Sequence, residues 1–288
     1  MVDLPLSGEQ ILISVDGTKI WAESTGNPSK PALIFIHGLS CSALGFDRQF
    51  TDQGLLESFH LIRYEMRGHG RSGQPLEVEA YQSLRYAEDF KTVCDAYGVD
   101  KPFLVGWSLG GVIAADVLNA YGPAALSGII YCGGGMPHLH YMAATTKPSL
   151  LPLVAAITSE RADDMAAAAS TFVDSCTAQP LPYAVKLQWM GAFVAQARAA
   201  RVHSIERAQD ASAEWERRAR DVPVLVVQGT EDQHRNWEGT RSLIERVYAD
   251  VEVYMLDGVG HTPHLEAAEE TNHAIGAWGR KVIARASQ

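Results

Sequence analysis

Three side chains, far apart along this chain, could together carry out nucleophilic catalysis. Ser108 lies at the centre of Gly106-Trp107-Ser108-Leu109-Gly110, Asp232 ends the run Gly229-Thr230-Glu231-Asp232, and His261 follows Gly258-Val259-Gly260. A serine hydroxyl is a weak nucleophile at neutral pH until a base takes its proton and an acid orients that base. With 25 glycines in 288 residues, a chance Gly-x-Ser-x-Gly is roughly a one-in-seven event, so the pentapeptide alone is only suggestive. Serine, imidazole and carboxylate in one place would suit acyl transfer: attack on a carbonyl, an acyl-enzyme, and release by water.

The elements around these residues must bring them together. Residues 103–105 read as a buried strand immediately before the pentapeptide, and 109–121 as a helix after it, which is the strand-turn-helix setting the motif needs. Asp232 follows an apolar strand at 222–227 and His261 follows one at 251–255, so acid and base each sit just past a strand. Glu231 is the lesser alternative to Asp232, and His264 the nearest competitor of His261. A further strand, Ala32–Ile36, runs into His37-Gly38-Leu39. The backbone N–H groups of Leu39 and Leu109 are therefore assigned to an oxyanion hole, with His37 tying down the turn.

The rest of the chain alternates in the same way. Strands are expected at 11–15 and 19–23 around the hairpin dipeptide Asp16-Gly17, and at 61–64 and 127–131. Helices are expected at about 80–97, at Trp237–Val247, and from the last strand to about residue 286. Strands alternating with helices imply a mostly parallel sheet covered on both faces, with ligands at the carboxyl ends of its strands.

Together, His37-Gly38, Arg67-Gly68-His69-Gly70-Arg71-Ser72, Gly106-Trp107-Ser108-Leu109-Gly110-Gly111, Gly229-Thr230-Glu231-Asp232 and Gly260-His261 resemble the α/β-hydrolase superfamily, in its serine-nucleophile, carboxylesterase-like branch. The resemblance implies an α/β-hydrolase fold with helices on both faces of the sheet and an inserted helical lid. It also favours hydrolysis of a carboxylic ester or lactone of small to medium apolar character. The family often has Asp where this chain has Glu65, at a turn of structural purpose. Haloalkane dehalogenases and most epoxide hydrolases of this fold use Asp as nucleophile, which Ser108 argues against. Perhydrolase, haloperoxidase-like or carbon-carbon hydrolase chemistry would use the same three residues, and a receptor of this fold would bind a small molecule with little turnover.

The alternation breaks between residues 136 and 220, an Ala-rich helical stretch divided by prolines. Residues 1–135 and 221–288 are thus expected to form the core, and 136–220 the lid. A helix over about 183–199 carries Leu187, Met190 and Val194 at i, i+3 and i+7, a stripe expected to face the core or a pocket. Trp107, Met136, Met142, Trp189 and Met190 are the candidate substrate-binding residues. Glu216, Arg217, Arg218 and Arg220 read as a solvated face, with pairing between lid and core as the alternative.

A formal net charge of -10 repels phosphate backbones and acidic headgroups, which argues against nucleic-acid partners. No apolar run is long enough to insert in a membrane. Cys41, Cys94, Cys132 and Cys176 lack metal or redox spacing and read as buried free thiols, and His138 and His140 lack a third ligand. No metal or organic cofactor is expected, and the protein reads as cytoplasmic.

Overall fold

The computed structural model describes residues 8–209 and 212–286. Among these, strands β1 (Gln10–Ile13), β2 (Lys19–Thr25), β3 (Ala32–Ile36), β4 (His60–Tyr64), β5 (Phe103–Trp107), β6 (Gly128–Cys132), β7 (Val224–Gly229) and β8 (Val251–Leu256) form one sheet. Their order is β1-β2-β4-β3-β5-β6-β7-β8. The first two pairings, β1 with β2 and β2 with β4, are antiparallel. From β4 to β8 every pairing is parallel. The β1–β2 hairpin turns at Asp16-Gly17, where Gly17 adopts a φ of 85° and its N–H donates to Ser14 O.

The five central strands, β3 to β7, are buried along their whole length. This explains why they read as apolar runs without alternation: both faces are covered by helices. Helices α1 (Asp47–Phe50) and α2 (Gln53–Ser58) lie between β3 and β4, and α3 (Ser83–Ala96) and α4 (Ile113–Tyr121) flank β5. Between β6 and β7 run α5 (Met142–Thr145), α6 (Leu151–Ile157), α7 (Ala162–Ser175), α8 (Tyr183–Ala195), α9 (Arg198–Glu206) and α10 (Ser212–Ala219). Helix α11 (Trp237–Val247) joins β7 to β8, and α12 (Pro263–Glu266) and α13 (Ala268–Ala286) end the described chain. No helix of the described residues is long and apolar enough to cross a membrane.

The expected helix over 109–121 divides in two. Residues Ser108–Val112 form a tighter 3-10 turn, and the α-helix starts only at Ile113. The Gly110-Gly111 pair is the local cause: a Cβ on Gly110 would stand 2.2 Å from Ile36 O, so this turn is pressed against the end of β3. Glycine is what permits that approach.

Polar side chains fasten the helical segment between β6 and β7 to the sheet. Arg207 and Asp116 form a buried ion pair at 2.6 Å, and Gln209 Nε2 donates to the same carboxylate at 2.8 Å. Arg201 donates to Ser40 Oγ at 3.2 Å and to Phe193 O at 2.7 Å. The charged face of α10 is only partly solvated. Arg218 donates to Leu118 O at 3.1 Å, and Glu216 pairs with Arg246 at 2.7 Å, so the helix closes against α4 and α11.

Helix α8 corrects a second expectation. Leu187 and Val194 are 50% and 67% exposed, whereas Trp189 and Phe193 are 6% and 1% exposed. The stripe at 187, 190 and 194 therefore points largely to solvent. The helix is apolar around most of its circumference, so periodicity could not choose the buried side. It also ends at Ala195 rather than 199, where Gln196 turns inward toward His69 and Ser40.

Candidate active site

Ser108 directly follows β5 with a φ of 51°, in the left-handed region that non-glycine residues rarely occupy. Holding a serine there costs about 1–3 kcal/mol, and the surrounding backbone enforces it. A Cβ on Gly106 would lie 2.6 Å from Gly111 Cα, so the chain before and after the serine passes within contact. The turn lifts Ser108 above the carboxyl edge of the sheet, next to Gly38 and Leu39 at the end of β3.

Asp232, past β7, is buried, while neighbouring Glu231 is exposed. The Asp232 carboxylate is fully engaged. Its Oδ1 accepts from the N–H groups of His234 at 2.8 Å and Arg235 at 3.0 Å. Its Oδ2 accepts from Gln228 Nε2 at 3.2 Å and meets His261 Nδ1 at 2.9 Å. Burial alone would raise the Asp232 carboxyl. The His261 ring beside it, the hydrogen bond from that ring, the His234 ring and the Arg235 N–H outweigh burial and hold it well below its ordinary value.

A carboxylate can only accept, so His261 must carry its proton on Nδ1. Its other nitrogen, Nε2, is then an acceptor, and it is buried without a hydrogen-bond partner among the described residues. His261 and Ser108 line the same cavity. Trp107 fixes the backbone that carries the imidazole: its indole N–H donates to the His261 carbonyl oxygen at 2.9 Å. His234 stacks on His261 with ring centroids 4.3 Å apart, and its Nε2 lies 2.8 Å from Ser175 Oγ on α7. Burial and the neighbouring His261 ring keep His234 well below the ordinary histidine range, so it is neutral.

His264, the competing histidine, lies in α12 against Trp107 and Phe46. Burial pulls its pKa down to about 3. His37 ties the β3 turn as expected: its Nε2 accepts from Met66 N at 3.1 Å, and Nδ1 is 2.7 Å from Gly38 O. Glu65 pairs with Arg71 at 2.9 Å at the foot of its turn.

Two cavities meet at Ser108. The smaller, about 350 Å³, is walled by Trp107, Trp189, Phe193, Val173, Cys176 and His261. The larger, about 550 Å³, is walled by Leu109, Met136, Met142, Leu150, Thr146 and Arg235 among others. Leu39, Ser108, Phe172 and His234 belong to both. Met190 lines neither. It stands one position past Trp189 on α8, so about 100° of helical rotation carries it away from the cavity, and it packs half-buried against the apolar core.

Phe172, His234, Thr146 and Arg235 border the serine although no sequence motif marks them. For His234 and Arg235 a signal existed, since both immediately follow the Asp232 turn. For Phe172 and Thr146 there was none, because their place depends on how α5 to α7 pack. Among the described residues no group of three or more His, Cys, Asp or Glu could hold a metal ion. His138 instead packs on Trp215, ring centroids 5.0 Å apart.

Comparison with known proteins agrees with this architecture. The model of a family described as the alpha/beta hydrolase family matches residues 33–274. Among solved structures, a protein of Burkholderia cenocepacia assigned as an aryl esterase superposes with a TM-score of 0.87 at 23% identity, over 96% of this chain and 99% of the other. An esterase from Rhodococcus sp. superposes with a TM-score of 0.83 at 25% identity, over 94% and 98%. Among curated sequences, EphD of Mycobacterium tuberculosis, an oxidoreductase by name, is 32% identical over 106 residues. That match covers 36% of this chain and 18% of EphD, so it spans under a fifth of that relative's length.

Proposed function

Because the chain belongs to the alpha/beta hydrolase family, we propose that it is a serine hydrolase cleaving carboxylic esters or lactones of small to medium apolar substrates. The observation that carries this reading is the Asp232–His261 contact, which leaves Nε2 of the ring unpartnered in the cavity that Ser108 lines.

In this reading His261 Nε2 takes the Ser108 proton as Oγ attacks the carbonyl carbon. The oxygen that becomes negative is held by the N–H groups of Leu39 and Leu109, each worth about 3 kcal/mol in the transition state. The intermediate collapses, His261 gives the proton to the departing alcohol, and a water activated by the same nitrogen releases the acid. Asp232 keeps the proton on Nδ1 and stabilises the imidazolium. Its engaged oxygens and depressed pKa suit that role, because a carboxylate so held stays ionised.

Residues 136–220 act as a lid in this proposal, with the core in 1–135 and 221–288. Met136, Met142, Phe172 and Trp189 supply apolar walls on either side of Ser108, which suits separate places for acyl and alcohol parts. Four buried, unpaired cysteines support a reducing, cytoplasmic setting.

The reading is tested with a fluorophosphonate and short nitrophenyl esters. A covalent adduct should map to Ser108 by mass spectrometry, and Ser108→Ala should lose both adduct and steady turnover while keeping its melting temperature. Undiminished turnover in Ser108→Ala would overturn the proposal.

A further inference from the structure

Arg235 stands out among the cations of the molecule. It is 2% exposed, yet no ion pair or side-chain hydrogen bond is made by its guanidinium among the described residues, and both Nε and Nη1 are buried without partners. The Asp232 carboxylate nearby is already committed to His261, Gln228 and two backbone N–H groups. Thr146 sits beside it through an antiparallel bridge between the two backbones, and the Thr146 hydroxyl is likewise buried and unpartnered. Both residues line the larger cavity at Ser108, whose other walls are mostly apolar.

We propose that Arg235 and Thr146 form a carboxylate-binding subsite, so that the preferred ester or lactone carries an anionic carboxylate on the part that enters the larger cavity. The proposal rests on the hydrolase reading of Ser108 and names its substrate class. A buried charge whose neighbouring carboxylate is already taken up by other donors is unfavourable, and the free Nε and Nη1 N–H groups, on different sides of the guanidinium, can each donate one charge-assisted hydrogen bond to a carboxylate. The Thr146 hydroxyl adds a third donor to the carboxylate. Burial draws the arginine's pKa down to about 10, which leaves it charged at neutral pH. Arg201, the other buried arginine whose pKa falls to about 10, differs because it is spent on carbonyls of the helical segment. The apolar wall from Met136 to Leu150 would receive the methylene chain between the carboxylate and the reacting carbonyl.

The test compares nitrophenyl hemiesters of glutaric and adipic acid with nitrophenyl esters of neutral acids of equal length, and repeats the pairing with the carboxylate on the alcohol side. The wild-type protein should prefer the carboxylate member of at least one pair by about tenfold or more in kcat/KM, as expected for a charged hydrogen-bonded contact. Arg235→Met should abolish that ratio, Arg235→Lys should restore part of it, and Thr146→Val should lower it severalfold. Using the ratio removes any general effect on turnover, and Arg235→Lys remains informative if the methionine variant folds poorly. Glutarate binding to Ser108→Ala, followed by calorimetry, lost in Ser108→Ala/Arg235→Met and partly kept in Ser108→Ala/Arg235→Lys, checks the subsite without turnover. Equal rates on both members of every pair, with the ratio unmoved in Arg235→Met, would overturn the subsite and leave the esterase reading standing. Glutarate binding in a protein that turns over no ester would do the reverse.

Discussion

The strand-end loops and the helical segment between β6 and β7 both face Ser108, and they are built on opposite principles. In the loops, each polar group is fixed by several partners: Asp232 by four hydrogen bonds, His261 through its ring and its carbonyl oxygen, and Ser108 by a backbone that a single added Cβ would break. In the segment, the contribution is mostly apolar surface from several helices. Geometry of reaction needs fixed donors and acceptors, whereas a pocket wall needs only volume and shape. The lesson is that a change in the loops should alter chemistry steeply, and one in the segment gradually.

The steepest test of that contrast is Asp232→Asn. An amide at this place favours the wrong imidazole tautomer, and kcat on nitrophenyl esters should fall by about 10⁴; a loss below tenfold would erase the distinction. Acid stability comes next. His69, His234 and His264, all in the core or its loops, are held well below the ordinary histidine range by burial. The unfolded chain takes up protons below about pH 6.5 while these native rings do not, so stability present above that pH is lost as pH falls. Between pH 7 and 5.5 the three together should remove roughly 4 kcal/mol, measurable by urea denaturation. Flat stability over that window would show that the rings are not held neutral. The smallest effects separate the regions by their glycines. Gly110→Ala should cost about 3 kcal/mol or more, since the new methyl meets Ile36 O. Gly191→Ala on the exposed face of α8, with nothing within 4 Å, should add about 0.5–1 kcal/mol. Equal responses in thermal melts would dissolve the comparison.

Legibility in the sequence divides along the same line. Strands β3 and β5 to β7 could be read because burial on both faces leaves an unbroken apolar run, whereas β8 is a partly exposed edge strand; Ser108, Asp232 and His261 could be read because each follows a strand. Helices α1 and α2 escaped notice: at four and six residues they are too short to show a period. The outward turn of Leu187 and Val194 could not be foreseen, because an all-round apolar helix has no preferred side until neighbours cover one. Arg235 and Thr146 illustrate a different limit. Arginine and threonine are ordinarily surface residues, and only the fold puts these two out of reach of water.

The place where the helical segment leaves and rejoins the sheet has an evolutionary consequence. Strands β6 and β7 are direct parallel neighbours, with Ile129 opposite Val224 and Cys132 opposite Val227, so the excursion leaves past Cys132 at the carboxyl end of β6 and returns at the other end of the pair, where Val224 begins β7. Any stretch of chain that spans those two fixed points leaves the strand register untouched, and doubling its length costs only about 0.6 kcal/mol in closure entropy. The excursion can therefore be exchanged in evolution as a cassette while the strand-end turns past β5, β7 and β8 stay in place.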